Sequence, residues 1–399
     1  MTIAYPIAHA WLSTGGTGAQ NYDEFADDAE ITAIIAANPS SALAIEMPHR
    51  APDTLGRPFA DCLPAAVERL ARAKAQGRYA PHNDIAVLYR ITAPDGASGY
   101  GVWAMVDTDQ ISTSAAEPGL VIRNEDVFLE KVRERVALAE ALHHLLSPVL
   151  LLQTGRGDEL HEALAKACAQ AGEPAVRDVD PAGRTHEVWP LPAGPAQREI
   201  LDLAGGGELV VADGNHRSLA AQTAGLPRFL AVITTPASVL IQPYNRLVSE
   251  VGAVDVVEGL RAAGATVTPV AAGPVPAPAG HGTVVVYLQG TALEVALPAK
   301  PGLPEVENLD HARVERVLLG QVLGLEPGDK RITYVGGDYP ASWLVGEVDA
   351  GRAELAVLIA PVTVPDFVAV NLARQKLPRK STWFTPKARA GLVVAELAS

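Results

Sequence analysis

Apolar residues recur every three or four positions in 61–76 (Leu63, Ala66, Leu70) and again after Asn124 (Phe128, Val132, Val136, Ala139, Leu142), a spacing that predicts helices. Asn124 is placed to cap the second of these, with Glu125 and Asp126 in its first turn, where the helix dipole favours acids. Helices are also expected over 22–37, stopped by Asn38 and Pro39, and over 158–172, 195–203, 216–224 and 310–323. Short apolar runs at 43–45, 85–88, 100–106, 120–122, 149–152, 208–212, 229–233, 284–288 and 391–397 read as strands. Asp213, Gly214 and Asn215 form a turn between the strand at 208–212 and the helix at 216–224, which Gly225 and Pro227 close.

Residues 268–282 carry Pro269, Pro274, Pro276 and Pro278 among Ala and Gly, too much proline for a central element, and are expected to form a linker or long surface loop. Strands alternating with helices predict an α/β or α+β fold in three regions, 1–115, 116–248 and 249–399.

Composition narrows the partners. The chain has 399 residues, with 46 acidic and 32 basic side chains and a net charge of −14. That balance repels phosphate polymers, so nucleic-acid and anionic-membrane binding are not expected, and any phosphate ligand must be met by a local cationic site. Such a place exists between 374 and 389, where Arg374, Lys376, Arg379, Lys380, Lys387 and Arg389 occur without an acid among them. The two cysteines, Cys62 and Cys168, lack metal or disulfide spacing and are expected to be buried thiols. The first ten residues have no cationic leader pattern, and no stretch approaches the ~20 apolar residues of a membrane span. A soluble cytoplasmic protein is expected.

Two segments carry candidate chemistry. At the strand-to-helix corner 213–218, an anion could dock on the backbone N–H groups of the first turn while His216 and Arg217 donate from their side chains, with Asn215 and Ser218 beside them. Gly214 permits the tight turn, and Asp213 suits Mg²⁺, which takes carboxylate and phosphate oxygen. The same residues also fit an Asx turn that only caps the helix. Glu125 likewise has a purely structural explanation in the helix dipole. The run Lys380, Ser381, Thr382, Trp383, Phe384, Thr385, Pro386, Lys387 could clamp a phosphate or carboxylate, or form a basic surface edge. His143 and His144 point roughly 100° apart on a helix, and His161-Glu162 lacks a second histidine, so no zinc site is assigned.

The order Tyr22-Asp23, Asn38-Pro39, Arg123-Asn124-Glu125 with Lys131 and Arg135, Ser147-Pro148, Ala212 to Arg217, Leu247-Val248 and Lys380 to Lys387 resembles the DUF1015 family along nearly the whole chain. The central part is similar to the ParB/sulfiredoxin-type fold and, within it, to the free serine kinases. The resemblance implies a mixed α/β core flanked by N- and C-terminal α/β segments. It also implies an ATP- or ADP-dependent kinase of free serine or a serine-like hydroxyl compound. Glu125 would then be the general base and Asp213 the Mg²⁺ ligand. Phosphate would be held by Gly214, Asn215, His216, Arg217 and Ser218, with His216 also counted among the catalytic groups. Arg123, Lys380, Ser381 and Thr382 would bind the acceptor.

The chain departs from those kinases at three positions: Asn124 and Asn215 stand where they have histidine, and Ser218 where they have tyrosine. The alternative is a non-catalytic nucleotide- or metabolite-binding or regulatory protein of the same fold.

Overall fold

The computed structural model describes residues 2–25, 27–112, 119–125, 127–288 and 290–397. Asp126 and the region boundary expected near 115 lie outside these. The fold is mixed α/β. The chain forms two compact units, residues 1–240 together with 386–399, and residues 241–385.

In the first unit, thirteen strands among the described residues make one mixed sheet. One end of it runs Ile111–Ser112, Val121–Ile122, Leu209–Asp213, Val149–Gln153, Arg228–Thr234 and Ser98–Asp107. Leu209–Asp213 is parallel to Val121–Ile122 and antiparallel to Val149–Gln153, which is in turn parallel to Arg228–Thr234. These strands read as unbroken apolar runs because both faces of the sheet are covered: Leu209, Val210, Val211, Leu151 and Leu152 are fully buried. The helices Leu129–Leu142 and Asn215–Thr223 pack against each other.

The long strand Tyr79–Thr92 pairs with Ile7–Ser13 through its first half and with Ser98–Asp107 and Thr185–Leu191 through its second. Asp84, at the junction, adopts a left-handed φ of 52°. Beyond Ile7–Ser13 lies Val393–Glu396, inserted between that strand and His144–Leu145. This last pairing returns the C-terminal tail to the first unit.

The second unit holds a six-stranded antiparallel sheet ordered Thr266–Pro269, Thr291–Ala296, Thr283–Leu288, Leu355–Leu358, Asn245–Val248, Ile332–Val335. Pro269 is tolerated because its strand is an edge strand, where a missing N–H costs no ladder bond. The proline-rich stretch that follows is a loop inside this unit, not a linker between units.

Several expected elements differ. Residues 43–45 are helical, within Leu43–Glu46, all of it buried. A short apolar run buried on every side has no period to separate helix from strand. The helix expected from 22 begins at Asp28, where the Asp27 carboxylate accepts from Ala29 N–H. The helix expected just after Asn124 begins at Leu129 with Phe128 at its N-cap, because the Asn124 side chain is taken up by another partner. His143 ends that helix in a left-handed conformation, and His144 lies in a strand, so the two do not share a helix. The stretch 310–323 is α-helical over Asp310–Arg313 and then widens to a π-helix over Val314–Val322. Cys62 and Cys168 are buried free thiols.

Candidate functional site

The corner after Leu209–Asp213 is built by a β-bulge and a glycine. Val211 pairs with Leu151, but Asp213 pairs with Leu150, so Ala212 is an extra residue. Bulges of this kind re-aim the side chains that follow them. Gly214 then turns the chain with φ of 96°, in the left-handed region. A Cβ there would lie 3.1 Å from Arg217 Nε and 3.2 Å from Val149 Cα, so both conformation and space select glycine. The helix Asn215–Thr223 starts at once, and its first turn is buried.

Arg217 falls one turn after Asp213 and joins three chain segments. Its guanidinium pairs with Asp213 Oδ2, donates to Pro148 O, and donates to Asn21 Oδ1 at 3.2 Å. Its Nε has no hydrogen-bond partner among the described residues. Burial works against the guanidinium charge, but Asp213 and Asp23 more than offset it and hold the pKa above the ordinary arginine value. The other carboxylate oxygen of Asp213, Oδ1, lies 3.2 Å from Lys387 Nζ.

The segment 21–24 completes this side. Asn21 Nδ2 lies 3.5 Å from Asp213 Oδ2 and donates to Ala388 O at 3.3 Å. Glu24 is buried and accepts the Asn21 N–H at 2.9 Å. Burial pushes its carboxyl up to about 7, with repulsion from Asp213 and Asp23 adding to the shift and Lys387 opposing it. The corner thus places Asp23, Glu24, Asp213, Arg217 and Lys387 in one electrostatic cluster.

Segment 123–128 is pinned onto the corner at two points. Asn215 Nδ2 donates to Asn124 Oδ1 at 2.5 Å, and Asn124 N–H donates to Asn215 Oδ1 at 3.3 Å. Phe128 N–H donates to His216 Nε2 at 3.1 Å, and the Phe128 and His216 rings stack with centroids 6.0 Å apart. Because Nε2 accepts, it carries no proton in this arrangement. Half-buried Glu125 lies between the two anchor points and Arg123 just before them. Ser218 is fully buried, its hydroxyl donating to Asn215 O and its N–H to Gly214 O. Against the helix side of the corner is an apolar cleft lined by Leu138, Leu142, Ala220 and Phe229, with Arg217 and the buried Glu46–Arg135 ion pair in its wall.

The family model described as "Protein of unknown function (DUF1015)" matches residues 16–312. The chain belongs to this family. No curated protein matches it. Among solved structures, a free serine kinase in complex with AMP is similar with a TM-score of 0.41 at 13% identity, over 71% of this chain and 87% of that one. A conserved hypothetical protein from Pyrococcus furiosus has a TM-score of 0.41 at 14% identity, over 73% of this chain and 95% of that one. SbnI with a C-terminal truncation, from Staphylococcus aureus, has a TM-score of 0.40 at 13% identity, over 73% of this chain and 87% of that one.

In this DUF1015 chain, Asp213, Gly214, Asn215, His216, Arg217 and Ser218 form the corner, and Arg123 and Glu125 lie on the segment fastened to it. Lys380, Ser381 and Thr382 belong to the second unit, whereas Lys387 and Arg389 of the same basic run belong to the first. Within the second unit Arg246 donates to Lys380 O at 3.0 Å, and Ser381 Oγ donates to Pro378 O at 2.7 Å. Arg389 pairs with Asp178 at 2.5 Å.

Asn21 and Glu24 have no role in the sequence reading, and Lys387 enters it only as one cation of the run that could clamp a phosphate or carboxylate. Their signals were present as the Tyr22-Asp23 family element and the acid-free basic run. No helix among the described residues is long and apolar enough to cross a membrane, and no group of three or more His, Cys, Asp or Glu among them could hold a metal ion.

Proposed function

We propose that the chain is a small-molecule kinase that transfers a phosphoryl group from ATP or ADP to the hydroxyl of free serine or a serine-like amino acid. The observation that carries this reading is the double fastening of segment 123–128 onto the Asp213 corner, which holds Glu125 between Asn124–Asn215 and Phe128–His216. Phosphoryl transfer asks the protein mainly for positioning and charge neutralisation. Arg217 and the backbone N–H groups at the start of the Asn215–Thr223 helix are suited to the phosphate oxygens.

Glu125 is assigned the acceptor's hydroxyl proton, a role that needs hydrogen-bond reach to that hydroxyl. His216 acts chiefly as a positioning residue, since its Nε2 is committed to Phe128 N–H. Asn215 and Ser218 shape the turn through the hydrogen bonds they already make, and Gly214 lets the backbone approach the ligand. Arg123 is proposed as an acceptor-binding residue.

Mg²⁺ typically uses one or two protein carboxylates and takes its other ligands from water and phosphate. Asp213 fits that mode on condition that Oδ1, now 3.2 Å from Lys387, is released. When bound, the ion would neutralise phosphate charge.

A second reading, a nucleotide- or metabolite-binding protein without turnover, is favoured by one observation. Asn124 and Asn215 satisfy each other where the kinase pattern has histidines, so neither side chain is left for catalysis. Incubating the full chain with ATP or ADP, Mg²⁺ and a panel of hydroxy amino acids separates the two. A phosphorylated product supports the kinase. Tight nucleotide binding with no consumption supports the binding protein.

A further inference from the structure

Lys387 reaches the Asp213 corner only because the tail re-enters the first unit. The tail is anchored immediately after it: Ala388 O accepts from Asn21, and Val393–Glu396 is inserted between two strands of the sheet. The Lys387 and Asp213 side chains are only 11% and 15% exposed, so the ammonium has been largely desolvated to sit here. Arg217 already pairs with the other oxygen of Asp213. Neutralising Asp213 therefore does not require a second cation, and a buried ion pair is weak stabilisation for the desolvation it involves.

Two further features point to an anion from outside the chain. Arg217 is 8% exposed, and its Nε, packed over Gly214, makes no hydrogen bond among the described residues. The helix N-terminus beside it carries no side-chain cap. Lysine, unlike arginine, is a compact charge on a flexible stem and can change partner by rotating that stem.

We propose that Lys387 is the phosphate-binding lysine of this corner, exchanging Asp213 Oδ1 for a phosphoryl oxygen of the bound nucleotide. The proposal rests on the nucleotide reading above. It identifies what the tail of the chain is for: the site is complete only when the C-terminal strand is seated, which makes Lys387 a cation from the end of the sequence serving a corner in its middle.

The test is calorimetric titration of ATP, ADP and adenosine into the full chain and into Lys387→Met, with thermal denaturation as the check on folding. Loss of one charge-assisted contact predicts an affinity for ATP and ADP lowered about 10- to 100-fold in Lys387→Met, with adenosine affinity unchanged. Lys387→Arg keeps the charge and is expected to retain most of the nucleotide affinity. If Lys387→Met fails to fold, Lys387→Gln, which can still hydrogen-bond Asp213, carries the same comparison. Equal nucleotide affinity in wild type and the neutral variant would overturn the role of Lys387 and leave the nucleotide reading standing. A folded wild type that binds neither nucleotide overturns both.

Discussion

Asn124 and Asn215 close on each other: one side-chain bond of 2.5 Å and one backbone-to-side-chain bond of 3.3 Å join the loop before Glu125 to the first helical residue after Gly214. Asn124 is 1% and Asn215 5% exposed, and each would leave the other unsatisfied if removed alone. Alanine at either position is expected to cost about 1–3 kcal/mol, and the double variant to show a coupling of about 1–2 kcal/mol. Chemical denaturation of the four proteins in this cycle measures it. Simple additivity would mean that the pair does not act as a unit.

Gly214 gives a second prediction. With φ of 96° and a virtual Cβ only 3.2 Å from the Val149 backbone, Gly214→Ala must move either the corner or the neighbouring strand. The expected cost is about 1–3 kcal/mol, accompanied by loss of nucleotide binding. An alanine variant with unchanged melting temperature and unchanged binding would show that the corner tolerates a side chain and is not tightly built.

Glu24 sets a pH dependence. Its carboxyl is raised from 4.5 to about 7, chiefly by burial, among Asp23, Asp213 and Lys387. A raised pKa stabilises the fold fully below about 4.5, and that contribution is lost as pH climbs through about 7. The loss is on the order of 3 kcal/mol. Glu24→Gln keeps an oxygen for Asn21 N–H but cannot ionise, so it should be more stable than wild type at pH ~8 and lose most of the pH dependence between ~5 and ~8. Denaturation curves across that range decide the matter. Parallel profiles for the two proteins would remove Glu24 as their source.

How far these features could be read from sequence depends on how local they are. The corner was legible because strand, Asp-Gly-Asn turn and helix are adjacent in the chain, and a glycine between two different periods is a strong signal. Leu209–Asp213 and Asn215–Thr223 fall within a residue or two of expectation. Asn21 was not legible as part of it, and Lys387 only as one cation of an acid-free run, since they meet Asp213 across 192 and 174 residues of chain. The return of Val393–Glu396 to the sheet brings the chain around Lys387 back to the first unit. The later start of the Leu129–Leu142 helix has the same origin: Asn124, a good cap by local rules, is held by a residue 91 positions away.

In the proposed reaction, Glu125 takes the hydroxyl proton as the phosphoryl group passes to a small hydroxyl compound. The most direct measurement is mass-spectrometric detection of phosphorylated product from wild type and Glu125→Gln, each given saturating ATP or ADP, Mg²⁺ and a panel of hydroxy amino acids. Loss of a general base predicts product from wild type and a rate lowered about 10²- to 10⁴-fold in the variant, with nucleotide affinity unchanged. A folded wild type that phosphorylates no acceptor, or a Glu125→Gln variant as fast as wild type, would contradict it.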